Sequence, residues 1–320
     1  MSMVLQSIKS VFTLMILILT GYYFTGKKWF GKPGMDFLSK FTVQVSVPCY
    51  MFYNMYEDID GRGALLDLAV KLPVTFGSIL LNLAVTAVAC RLLKVGEGRR
   101  NTFVAAAGFA NVVFIGFPVI QSLWGEGITS TGVIYYISST LLFWTVGTAL
   151  LRRDSRLPGK GEANFLGNLK KILSPPIIGL IAGVAVVLLE VELPDFILSP
   201  VSMLKSVTSP LAMVFIGSVI RNMDLRKMEF GRDLYAALGM RFLVLPVVTA
   251  LFLRAMPVPS EMKQVFFVLS TMPSMTQMGI MAKEYESDYE FACTVITATT
   301  IVSMLTIPVF MYLMQTFRIF

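Results

Sequence analysis

The stretch Gly108–Ile120, GFANVVFIGFPVI, lies inside an apolar run long enough to cross a bilayer, yet it carries an amide at Asn111, then Gly116, then Pro118. A lipid-facing helix has no partners for its backbone except its own i to i−4 bonds. Pro118 removes one donor and clashes with the carbonyl four residues back, so the chain before it tends to unwind. Non-helical backbone at that depth is tolerated only where protein or a wet cavity covers it. The stretch reads as an interrupted helix at a site, with a plain kink as the alternative.

Outward from this stretch, the chain stays apolar. Of its 320 residues 55% are hydrophobic and only 15% charged, with a mean hydropathy of +0.71, which excludes a water-soluble domain of ordinary composition. Ten runs have the length needed to span a bilayer: 3–24, 36–56, 68–90, 102–124, 131–151, 172–190, 200–220, 234–253, 264–283 and 291–315. The loops between them are too short for a soluble domain. Lys9 precedes the run VFTLMILILT as in a signal peptide, but Lys27, Lys28 and Lys32 follow it without a small-x-small cleavage site, so it reads as a retained helix. Cys49, Cys90 and Cys293 fall in spans without metal or redox spacing, and no disulfide or cofactor is expected.

Basic residues alternate between loops. One set holds Lys27, Lys28, Lys32, Arg91, Lys94, Arg99, Arg100, Arg152, Arg153, Arg156, Lys160, Lys170, Lys171, Arg221, Arg226, Lys227, Arg232 and Lys283. The other offers Arg62, Lys71, Arg254, Lys263 and Arg318, with acidic loops around Glu126 and around Glu190, Glu192 and Asp195. By the positive-inside rule the first set is cytoplasmic and both termini lie outside. The net charge of +7 is then a topology signal at an anionic leaflet rather than a nucleic-acid surface. The Gly-Lys-Gly at 159–161 lacks the spacing of a phosphate loop.

The segment 152–171 reads as a cytoplasmic linker between two halves of five spans, 1–151 and 172–320. Five is odd, so a second half that copies the first must enter from the opposite face, as in an inverted repeat. SVPCYMF (Ser46–Phe52) and SPLAMVF (Ser209–Phe215) occupy corresponding places, with Lys40 and Lys205 upstream. In the fourth span Asn111 lies eleven residues beyond Arg100, and in the ninth Pro273 lies ten beyond Lys263. At 1.5 Å per residue both are about 15 Å deep, near the midplane, reached from opposite sides. Pro118 and Pro273 would each open a half-helix there, and the two electropositive N-termini would favour an anion.

Over its whole length the chain resembles the auxin efflux carrier family, which includes the plant PIN transporters and many bacterial permeases. The likeness is carried by SVPCYMF, FANVVFIGFP (Phe109–Pro118), MPSMTQMGIMAKEY (Met272–Tyr285) and TATTIVSMLTIPVF (Thr297–Phe310). It implies ten helices in two inverted repeats, with the fourth and ninth broken and crossing. It also implies a scaffold of spans one, two, six and seven that supplies a homodimer contact, and a moving transport domain of spans three to five and eight to ten. Asn111 and Pro118 match the family's fourth helix and Pro273 its ninth, while Ala282 and Tyr285 fit the tail of that motif. Val113 departs from the pattern, where a glycine is expected after the asparagine.

Thr276 and Gln277 stand in the first turn after Pro273, placed for polar contacts, and Tyr135 belongs to a group of candidate cavity-lining residues with Asn82, Gln121, Tyr136, Ser138, Ser139 and Thr140. Arg241 lies eight residues beyond Asp233, about 12 Å deep. It either balances an anionic substrate or snorkels to the headgroups, as Lys9, Lys40 and Lys205 are expected to do near span ends. The chain has no histidine and its carboxylates gather at loops and span ends, so a proton relay lacks its usual parts. An embedded hydrolase is disfavoured for the same reason. Na⁺ coupling through carbonyls and neutral oxygens, and uniport, both stay open.

These features point to an all-α, ten-helix integral protein of the cell membrane, not an enzyme. The expected activity is secondary transport of a small organic anion by alternating access. Asn111, Gly116, Pro118, Pro273, Thr276, Gln277, Arg241 and Tyr135 are the candidate substrate-binding residues. A ligand-gated channel or membrane sensor, and a sodium-coupled symporter of the bile-acid type, are the alternatives.

Overall fold

A computed structural model of the protein describes residues 3–29, 31–125, 128–155, 173–222, 230–316 and 319–320. Most of the 152–171 linker lies outside the described residues, as do Glu126, Arg156, Lys160, Lys170, Lys171, Arg226, Lys227 and Arg318 and the side chains of Lys9 and Lys32. Among the described residues the chain is all helical, with one isolated bridge between extended residues.

In chain order the helices are α1 (Met3–Gly26), α2 (Lys32–Phe41), α3 (Val47–Asp58), α4 (Gly61–Val70), α5 (Leu72–Leu92), α6 (Arg100–Gly108), α7 (Phe117–Trp124), α8 (Thr129–Leu142) and α9 (Thr148–Arg153). They continue with α10 (Pro175–Leu189), α11 (Asp195–Ser206), α12 (Thr208–Asn222), α13 (Arg232–Gly239), α14 (Leu245–Ala255), α15 (Ser260–Ser270), α16 (Thr276–Glu284) and α17 (Tyr289–Thr316). Five continuous segments are long and apolar enough to cross a membrane: Gly61–Leu92, Ser130–Arg153, Asp195–Asn222, Arg232–Ala255 and Tyr289–Met314. Phe12–Gly26, Val112–Trp124 and Pro175–Leu189 are shorter apolar helices. The protein is a multi-pass membrane protein.

Three prolines inside these helices share one local solution. Short π-helical turns at Thr42–Ser46, Val112–Gly116 and Met240–Val244 stand two residues before Pro48, Pro118 and Pro246. The residue four before each proline, whose carbonyl loses its donor and meets the ring, is the middle of the turn. A wider turn absorbs that clash without ending the helix. Pro118 therefore does not start a helix, contrary to the expectation above: helical backbone resumes at Val112 and runs through Pro118 to Trp124.

The chain divides into two compact units, one of Met1–Leu72, Val113–Ile137 and Leu173–Met223, the other of Pro73–Val112, Ser138–Ile172 and Asp224–Phe320. In the first unit glycines bring helix backbones together. A Cβ on Gly21 would lie 2.0 Å from the Val214 carbonyl oxygen, and one on Gly217 1.9 Å from that of Ile18, so α1 and α12 touch through their main chains. Gly179 and Gly183 do the same for α10 against α3, with a Cβ 2.3 Å from the Pro48 oxygen and 2.9 Å from that of Phe52. Small residues at such crossings supply the close packing that associates helices in lipid, where the hydrophobic effect gives no preference between them. Lys205 of this unit does not snorkel. It is 4% exposed, with its ammonium 4.1 Å from the centre of the Tyr53 ring, a desolvated cation–π pair.

The second unit is tied at one end by ions. Arg99 pairs with Asp288 at 2.6 Å and with Asp233 at 3.5 Å. The Asn82 side-chain amide donates to Thr249 at 3.0 Å, and the hydroxyls of Thr75 and Ser138 pair at 2.5 Å. These expected cavity-lining groups, Asn82 and Ser138, are engaged in bonds between helices.

Candidate functional site

Helix α6 ends at Gly108 and α15 at Ser270, each followed by a few residues without helix before the backbone coils again at Val112 and at Thr276. Pro273 thus lies within an extended stretch, three residues ahead of the helix it was expected to start. The two stretches run antiparallel. Ala110 and Ser274 form a bridge, the Asn111 amide donates to the Pro273 carbonyl at 2.8 Å, and the Met275 amide donates to the Phe109 carbonyl at 3.1 Å. Backbone that has left a helix recovers its hydrogen bonds from another segment in the same condition, which meets the demand that buried main-chain groups be paired.

The last carbonyls of α6 can be followed one by one. A helix end leaves four without an intrahelical donor. Ala105 accepts from the Phe109 amide at 3.1 Å, Ala106 from the Ser274 hydroxyl at 2.7 Å, and Ala107 and Gly108 from Nη1 of Arg241 at 2.9 and 3.3 Å. Arg241 also donates through Nε to the Met272 carbonyl at 2.6 Å, and its Nη2 reaches the same oxygen. Its side chain is 1% exposed, so it neither snorkels nor faces solvent. The guanidinium ties the carbonyl end of α6 to the Met272 carbonyl of the other stretch. Ser274 is positioned in turn by Thr299 of α17, whose hydroxyl accepts its amide at 3.1 Å.

At its other end α6 is capped by a carboxylate. Asp154, just beyond α9, accepts from the Thr102 amide at 2.6 Å, the Thr102 hydroxyl at 2.9 Å and the Asn101 side chain at 2.7 Å. A carboxylate at the N-terminus and a guanidinium at the C-terminus both oppose the helix dipole.

The side-chain amide of Asn111, 5% exposed, donates to the Thr276 hydroxyl at 2.8 Å. Thr276 and Gln277 open α16 and are half-buried. Met275 at the N-cap makes no side-chain bond to that helix start. Its own amide goes to the Phe109 carbonyl and the Met278 amide returns to the Met275 carbonyl at 3.2 Å. The amides of Thr276 and Gln277 are thus the ones that a helix N-terminus leaves for other acceptors. Asn111, Pro273, Thr276, Gln277 and Arg241 therefore belong to one assembly in the second unit. Gly116, Pro118 and Tyr135 belong to the first unit and are buried there, Gly116 in the π turn and Pro118 in α7. Tyr136 packs its ring 6.0 Å from that of Phe117, and Gln121 accepts from Ser209 at 2.7 Å.

Sequence reasoning missed Ser274 and Asp154. The serine of STMPSM is a signal in hindsight, since a hydroxyl beside a proline in a membrane span can satisfy a freed carbonyl. Asp154 has no local signal, because the helix it caps lies about fifty residues earlier.

Comparison with known proteins gives the family of the chain. A family model described as "Membrane transport protein" matches residues 6–158 and 162–311. An uncharacterized transporter of Methanothermobacter thermautotrophicus is 24% identical over 304 residues, covering 94% of this chain and 96% of that protein. One of Methanocaldococcus jannaschii is 23% identical over 306 residues, covering 93% and 95%. The chain belongs to the membrane transport protein family, the family of auxin-efflux-carrier-like transporters.

Proposed function

We propose that the protein is a secondary carrier of a small organic anion, working by alternating access around the crossing of Phe109–Asn111 with Pro273–Met275. One observation carries the reading: the Asn111 side chain and the Thr276 hydroxyl meet at 2.8 Å at the opening of α16. There an amide, a hydroxyl and the electropositive end of a helix converge in apolar surroundings. Arg241 answers the electronegative end of α6 and the Met272 carbonyl beyond α15, which leaves the positive end of α16 uncompensated by the same device. A carboxylate fits that balance better than a cation.

Ten helices in two inverted repeats suit the packing. The first and seventh spans meet through Gly21 and Gly217, and the second and sixth through Gly179 and Gly183. Exchanging the halves turns one pair into the other and maps the Ala110–Ser274 bridge onto itself. In this reading residues 1–151 and 172–320 are the repeats and 152–171 the cytoplasmic linker. Spans one, two, six and seven are the scaffold and homodimer contact, the remaining spans move, and both termini lie outside the cell membrane.

Uptake of labelled monocarboxylates and dicarboxylates into proteoliposomes tests this, with protein-free liposomes reporting passive leak. Saturable uptake of a carboxylate that other carboxylates inhibit is expected. Uptake of cations or neutral solutes with no carboxylate transported would overturn the substrate class.

A further inference from the structure

Carriers with interrupted helices commonly hold a coupling cation on the unwound carbonyls and on the C-terminal ends of half-helices. In this protein those carbonyls hold an arginine. Ala107 and Gly108 close α6, Met272 follows α15, and all three oxygens accept from the one guanidinium of Arg241. The side chain comes from a third element, the π turn before Pro246, which turns residue 241 within an otherwise helical segment. Only 1% of it is exposed, so its charge is not shared with solvent and acts on the carbonyl dipoles at short range.

We propose that Arg241 is a tethered cation that stands in for a dissociable one, making the crossing complete without Na⁺ and leaving transport independent of a sodium gradient. A guanidinium carries a permanent charge, and its planar fork addresses several oxygens at fixed angles. It satisfies the same carbonyl oxygens that a monovalent ion would, yet it cannot leave the protein. Arg241 is in this sense a positioning residue: it touches the backbone of the crossing, and it acts on the substrate through the geometry and field of Asn111 and Thr276. Sodium independence of flux rests on the carrier reading above, whereas occupancy of the carbonyl cage by a fixed charge does not.

The test separates the two. Thermal unfolding of purified protein is followed in NaCl and in choline chloride at equal ionic strength, for wild type, Arg241→Lys and Arg241→Ala. Wild type is expected to unfold at the same temperature in both salts, and Arg241→Lys likewise, because it keeps a charge at the cage. Arg241→Ala empties the cage, and its unfolding temperature is expected to be lower in choline and to rise by a few degrees, saturably, with Na⁺. Should that variant not yield monodisperse protein, Arg241→Gln, which keeps two donors and loses the charge, takes its place with the same expectation. A sodium-dependent wild type, or a neutral variant that responds to both salts alike, would overturn the proposal. In proteoliposomes the wild-type flux of a transported carboxylate should be equal in the two salts, and that of the neutral variant should require Na⁺. Loss of all carboxylate flux with the unfolding pattern intact would count against the carrier reading and leave the fixed cation standing.

Discussion

The Asn111 side-chain amide donates to the Thr276 hydroxyl at 2.8 Å, across 165 residues of sequence and between two stretches whose main chains are already bonded to each other. One such bond is worth about 0.5–1.5 kcal/mol, up to roughly tenfold in a rate or affinity. Asn111→Ala is expected to lower carboxylate flux by about tenfold or more, since it removes a ligand group as well as the bond, and Thr276→Ala by less. The double variant should fall short of the product of the two singles, because the partners share one interaction. Initial rates in proteoliposomes, normalised to monodisperse protein, measure this, and full activity of Asn111→Ala would remove it from the site.

Asp154 accepts three hydrogen bonds at the start of α6 and is buried. Asp154→Ala leaves the Thr102 amide and hydroxyl without their acceptor, at a cost of about 1–3 kcal/mol. Asp154→Asn keeps one acceptor oxygen and should cost less. Thermal unfolding of the purified variants should rank wild type above Asn above Ala; an unchanged Ala variant would show that water replaces the carboxylate.

The glycines separate contact from helix propensity. Gly217→Ala drives a methyl group into the Ile18 carbonyl and should destabilise by about 1–3 kcal/mol, as overpacking does. Gly239→Ala, also helical, meets nothing within 4 Å and should be neutral or stabilising by up to about 1 kcal/mol. Comparable unfolding temperatures for the two variants would refute the main-chain contact of α1 with α12.

Much of this is legible in the amino-acid sequence itself. Composition and run length announce a multi-pass membrane protein, and the residues without helix, 109–111 and 271–275, stand where Asn111 and Pro273 interrupt the apolar pattern. Local residue types carry such signals because a proline or an amide perturbs its own turn. The restart at Val112 was not legible, since a π turn absorbs Pro118 and the proline rule taken alone ends the helix there. Nor were the partners of Arg241, which are backbone oxygens and leave no mark in residue identity. The burial of Lys205 is not legible either, because its neighbour Tyr53 comes from another helix. The contact of Gly21 with α12 has no signature in the sequence, as glycine in an apolar span is compatible with many packings.

Counterflow tests the central claim most directly. Proteoliposomes preloaded with an unlabelled carboxylate are diluted into a trace of the same labelled acid. A carrier that exposes its site to one side at a time exchanges the two and drives the label transiently above its equilibrium level. We expect that overshoot for wild type and its loss in Asn111→Ala. A label that rises monotonically to equilibrium in wild type, however fast, would contradict alternating access and assign the crossing to a channel.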